Sequence, residues 1–198
     1  MTIKASSLLA IIAVWGFAVP AVVVEPAGWW SLIFAGLSTA MIGTSAGRSL
    51  GLSRLIAITG IWGGTALAVS EGEAWVSVFA FLATGAVVFS VMRRTALLNG
   101  LGIAVAWLAT GAVVSGGDGD GAWISVFAFL TAASVANHRS ESRGIAAAAW
   151  WAFAGVVMVT AGGWYWLAVI AWLLSTASLG FTGFTLPSRI EWDLFDRD

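Results

Sequence analysis

The sequence predicts an all-α, polytopic transmembrane bundle of about eight spans, arranged as four tandem helical hairpins. Three observations carry this expectation. Ala74-Trp75-Val76-Ser77-Val78-Phe79-Ala80-Phe81-Leu82 recurs as Ala122-Trp123-Ile124-Ser125-Val126-Phe127-Ala128-Phe129-Leu130 with a single Val/Ile exchange, which exposes an internal repeat. Hydrophobic residues make up 60% of the chain and charged residues 10%, against roughly 45–50% and about 25% in soluble proteins. Charges also cluster in short stretches and leave long apolar intervals between them.

Fainter copies flank the repeated nonapeptide. Trp30, Phe34, Ala35 and Leu37 match Trp75, Phe79, Ala80 and Leu82, while Trp166, Ile170, Ala171, Trp172 and Leu173 match Trp123, Phe127, Ala128, Phe129 and Leu130. Each copy follows an apolar stretch with its own tryptophan: Trp15, Trp62, Trp107 and Trp151. The repeats run over approximately 5–50, 51–95, 96–140 and 141–184, followed by a tail at 185–198.

No Asp, Glu, Lys, Arg or His occurs in 5–24, 26–47, 55–70, 74–92, 95–117, 121–137 or 144–188. A membrane-crossing helix needs about 20 apolar residues, and the last interval holds two, broken at Ala161-Gly162-Gly163. The expected spans are 5–24, 29–47, 55–70, 75–92, 97–114, 122–137, 145–161 and 164–182. The third and sixth look short. None of these runs alternates apolar and polar residues as a β-barrel strand does. The first is read as a retained span rather than a cleaved leader, because Val24-Glu25-Pro26 lacks small residues and the segment pairs with the second span.

Loop charge predicts orientation. All nine Lys and Arg residues fall in alternate loops or at the termini: Lys4, Arg48, Arg54, Arg93, Arg94, Arg139, Arg143, Arg189 and Arg197. The opposite loops carry Glu25, Glu71 with Glu73, and Asp118 with Asp120, and no basic residue. By the positive-inside rule the protein belongs in the cell membrane with both termini cytoplasmic. There is no basic surface for nucleic acid.

The candidate sites are few. Glu71, Glu73, Asp118 and Asp120 lie in equivalent turns, where they either hold a divalent cation or serve as solvated turn residues. His138 stands alone beside Arg139. Of thirteen tryptophans, Trp29, Trp30, Trp75, Trp123, Trp164 and Trp166 sit where an interfacial belt forms. Trp15, Trp62, Trp107, Trp150, Trp151 and Trp172 lie deeper, and either pack together or wall a pocket for a quinone, carotenoid or lipid tail. Gly43-x-x-x-Gly47 and Gly60-x-x-x-Gly64 have the spacing that lets helices touch in lipid; they serve internal packing or dimerisation.

The chain has no cysteine, no lysine within a span, no Walker loop and no His-Glu-x-x-His, and no span carries an ionisable group. The expected activity is therefore non-enzymatic: helix packing and assembly with a second copy or another membrane subunit. A carrier or pore for neutral or apolar solutes, or a quinone-, carotenoid- or lipid-binding protein, is the alternative, and no cofactor is specified. In the tail, Ile190, Trp192, Leu194 and Phe195 stand among four of the ten acids. That apolar density predicts docking on a partner or on the cytoplasmic rim near Arg93, Arg94 and Arg139.

From Gly60-Ile61-Trp62 through Glu71-Gly72-Glu73-Ala74-Trp75 to Arg93, the hairpin resembles the Ser-Pro-Trp (SPW) repeat membrane proteins of bacteria and archaea. That resemblance implies short repeats of two spans, with tryptophan in the first helix and another opening the second. It implies no functional residue.

Overall fold

The computed structural model describes residues 4–44, 50–90, 92, 96–116, 121–138 and 142–177. Among these, the chain is helical without strands. Its α-helices are α1 (Ala5–Val24), α2 (Ser31–Thr44), α3 (Leu52–Ser70), α4 (Val76–Val88), α5 (Leu97–Gly116), α6 (Ser125–Ala136), α7 (Ser142–Ala161) and α8 (Leu167–Thr176). Short 3-10 turns at Pro26–Gly28 and Ala122–Ile124 lead towards α2 and into α6.

Four helices, α1, α3, α5 and α7, are long and apolar enough to cross a membrane. The other four hold 14, 13, 12 and 10 residues. Helix α4 is Val76–Val88 where 75–92 is expected, and α8 is Leu167–Thr176 where 164–182 is expected; residues 45–47 and 178–182 of the expected spans lie outside the described residues. The expected third span errs in the other direction, since α3 begins at Leu52 and takes in Arg54. Charge does not end that helix. The Arg54 side chain donates to the carbonyls of Ser90 and Met92 at 2.9 and 3.0 Å, which places the guanidinium against backbone left without helical partners after α4. In the same way α7 starts at Ser142 and includes Arg143, which donates to Ser134 Oγ at 3.2 Å.

The helices form two layers. Helices α1, α3, α5 and α7 pack side by side in that order, α2, α4, α6 and α8 form a second row, and each hairpin joins the rows. Within the first row the helices are parallel. At one end Leu50 N–H meets Ser6 Oγ, Gly100 meets Ser53, and Gly144 meets Leu98. At the other, where the hairpins turn, Gly28 meets Val69 and Ala74, and Gly121 meets Tyr165.

Glycine lets this row close. A Cβ on Gly64 would strike the Trp107 carbonyl, and one on Gly111 would strike the Gly64 carbonyl. Gly60 lies against Ala104, Gly100 against the Ser53 carbonyl, and Gly102 against Gly144. Backbones thus touch along α3–α5 and α5–α7, the small-residue packing that associates helices in lipid. Gly60 and Gly64 are therefore spent on an internal contact. Gly43 meets nothing within 4 Å, and Gly47 lies outside the described residues.

The outer helices are less enclosed: over an 18-residue apolar stretch of each, 28% of α1 and 33% of α7 is buried, against 61% for both α3 and α5. Phe153 of α7 occupies the position that Gly64 and Ala109 hold in the two preceding repeats, and it is exposed. The first repeat also carries a bulky residue there, Phe17, which packs against Gly63 of α3.

Candidate functional site

The recurring tryptophans occupy the interior between the rows. Trp62, Trp107 and Trp151 are the largest fully buried side chains, and Trp15 packs partly buried against the same core. Three of the four indoles donate to a threonine on the second row: Trp15 to Thr39 at 2.9 Å, Trp62 to Thr84 at 3.1 Å, and Trp151 to Thr131 at 3.0 Å. Each acceptor hydroxyl can itself be traced in two cases to the carbonyl four residues back, Thr39 to Ala35 and Thr84 to Ala80, so donor and acceptor are both used.

The pattern breaks in the third repeat. Thr39 and Thr84 serve the tryptophan of their own hairpin, whereas Thr131 serves Trp151 of the next. The cause is one inverted dipeptide. After the repeated nonapeptide the second hairpin continues Ala83-Thr84 and the third Thr131-Ala132. One residue turns a helical side chain by about 100°, so the hydroxyl leaves the α5 side and faces α7. Trp107 Nε1 is consequently buried with no hydrogen-bond partner among the described residues. Sequence reading missed this set of bonds, although the inverted dipeptide was its visible signal.

The nonapeptide itself explains the second row. Its Trp and first Phe, four residues apart on one helix face, meet edge to face in Trp30–Phe34, Trp75–Phe79 and Trp123–Phe127, with centroids 5.6–5.7 Å apart. That Phe then contacts the next short helix: Phe34 with Phe81 at 5.9 Å, Phe79 with Phe129 at 6.3 Å, and Phe127 with Trp172 at 5.7 Å. Each copy thus supplies an outgoing ring and an incoming ring, which ties its near-identity to a repeated interface. Trp172 belongs to this ladder. The ends lack the unused half, with Gly36 at the first incoming position and Ile170 at the last outgoing one.

The tryptophan interior is filled with side chains. A concavity lies on the opposite face of the first row, a groove of about 810 Å³ floored by Thr59, Gly60 and Gly63 of α3. Leu9 and Phe17 of α1 form one wall, and α5 forms the other. It is almost wholly apolar, and none of Trp15, Trp62, Trp107, Trp151 or Trp172 lines it.

The acidic turns are only partly described. Glu73 accepts the Trp75 indole N–H at 2.6 Å, and Glu71 is exposed. Asp118 and Asp120 lie outside the described residues, as do Ile190, Trp192, Leu194 and Phe195 of the tail. No group of three or more metal-ligating side chains occurs among the described residues. The His138 carbonyl accepts from Asn99 Nδ2 at 3.4 Å.

Comparison with protein-family models, with curated proteins and with solved structures gave no match. The class defined by the geometry is a two-layer helical array containing four helices of membrane-crossing length and composition.

Proposed function

We propose that this is a non-enzymatic integral membrane protein of the cell membrane, crossing it eight times with both termini cytoplasmic. It acts by presenting a rigid, preassembled surface to another membrane subunit or to a second copy of itself. The observation that carries this reading is the filled interior: three fully buried tryptophans occupy the centre, which leaves no wide passage for a solute there. The four shorter helices complete the crossings in this reading, each pairing with a long one through the repeat. The ladder ends at Gly36 and Ile170 argue that a partner binds a lateral face rather than extending the array. The tail, with Ile190, Trp192, Leu194 and Phe195, is a further docking element in this reading, and the likeness to Ser-Pro-Trp repeat proteins remains part of it, although that tripeptide does not occur in the chain.

In-membrane crosslinking followed by size analysis in mild detergent tests assembly. A stable complex, weakened by deletion of 188–198 without loss of insertion, is expected. A clean monomer with no crosslinked partner rejects the reading.

The groove over α3 supports a second reading, an apolar ligand such as a quinone, carotenoid or lipid chain lying against Thr59, Gly60 and Gly63. Its tests are the visible absorption spectrum of the purified protein and mass spectrometry of what co-purifies.

A further inference from the structure

We infer that the second row is fitted to a bilayer thinner than the one α1 matches, so that the protein thins the membrane along its α4–α6 side. This rests on the eight-crossing reading above. Helix α1 has 20 residues, giving about 30 Å at 1.5 Å per residue, close to the roughly 30 Å of a typical hydrocarbon core. Helix α4 with its cap residues reaches only from Trp75 to Phe89, about 22 Å. The 3-10 turn and α6 together run from Ala122 to Ala136, about 24 Å.

The two rows are level at the turn end, because Gly28 touches Val69 and Ala74 there. The shortfall therefore falls at the other end. Polar groups confirm where the apolar belt of the second row stops. After α4 the backbone leaves the helix, and Arg54 is drawn in to satisfy the Ser90 and Met92 carbonyls. Asn137, directly after α6, is exposed, with its amide donating to the Ala133 carbonyl at 2.9 Å. The backbone at Ser90 and Met92 is covered by protein with its carbonyls satisfied, so the outward-facing polar marker is the exposed Asn137 amide, which is costly against hydrocarbon. The headgroup region rises to meet it, at a cost of fractions of a kcal/mol per Å. On α1, at a comparable or greater distance from the turn end, the exposed side chains are Leu8 and Leu9, which call for hydrocarbon at that depth.

The absence of native cysteine makes the test direct. Single-cysteine variants Phe89→Cys, Leu8→Cys and Leu82→Cys carry a nitroxide in the full-length protein, reconstituted in phosphatidylcholine vesicles with 18-carbon monounsaturated chains. Collisions with oxygen and with a water-soluble nickel chelate then report depth. Leu82, exposed in the middle of α4, should sit in hydrocarbon. The expected result is several-fold more nickel contact at Phe89 than at Leu8. Equal hydrocarbon depth at Phe89 and Leu8 overturns the inference while leaving the eight crossings intact. A Phe89 label reached by neither reagent also overturns it, since protein rather than lipid then covers that face. Nickel contact at all three positions, Leu82 included, rejects the membrane reading itself.

Discussion

Thr131 accepts the indole proton of Trp151 from the neighbouring hairpin at 3.0 Å and leaves Trp107 of its own hairpin without an acceptor among the described residues. Two otherwise equivalent buried tryptophans, Trp62 and Trp107, therefore differ by one hydrogen bond. A satisfied indole contributes a net stabilisation, whereas a buried unsatisfied N–H carries its desolvation cost.

Replacing each by phenylalanine separates the two cases at nearly equal loss of volume. Trp62→Phe removes the bond to Thr84, and Trp107→Phe removes an unpaired donor. Trp62→Phe is expected to be the more destabilising by about 1–2 kcal/mol. Reversible unfolding in mixed detergent measures the difference, and equal losses would show that the bonds contribute nothing.

The glycine contacts differ as sharply. Gly64→Ala drives a methyl group into the Trp107 carbonyl, where neither backbone can yield without parting α3 from α5. A loss of at least about 3 kcal/mol or failure to fold is expected, at or beyond the upper end of ordinary overpacking. Gly43→Ala, in open space on α2, should be neutral or stabilising by up to about 1 kcal/mol through helix propensity. The thermal midpoint in detergent distinguishes them, and similar midpoints would contradict the close approach.

Arg54 closes the end of α4 with two bonds to backbone carbonyls. Arg54→Gln should cost about 1.5–3 kcal/mol, the range for hydrogen bonds to a charged group. Arg54→Lys should recover only part of that, because both bonds leave the single Nη2 nitrogen and the lysine ammonium ends one bond short of that position. Full recovery with lysine would mean that charge alone matters.

The proposed orientation is open to labelling. Gly72 has φ +91°, a conformation that a side chain strains, so the neighbouring Glu71→Cys is the better probe. An impermeant maleimide added to intact cells should modify Glu71→Cys and Gly119→Cys but not Ser140→Cys. Modification at Ser140 reverses the orientation.

Much of this architecture was legible from residue order. Charge-free runs announced helices, and the recurring Trp15, Trp62, Trp107 and Trp151 announced four hairpins, because helical periodicity and apolar length are local properties. Even the ends of the aromatic ladder are written in the repeat, since Gly36 and Ile170 stand where a ring would need a neighbour. The short helices were less legible. The apolar run 74–92 continues past Val88, where α4 stops, and composition does not register a helix end that an arginine from another helix satisfies.

By itself the sequence determined helix, hairpin and repeat. Tertiary structure decided partnership: that Gly60 and Gly64 face α5 inside the molecule, that Arg54 lies within α3 and turns to Ser90, and that Thr131 answers Trp151. The physical reason is rotational phase. A single residue turns a side chain by about 100°, so the same residue types at nearly the same spacing meet different neighbours, and which neighbour is present depends on helices far away in the chain.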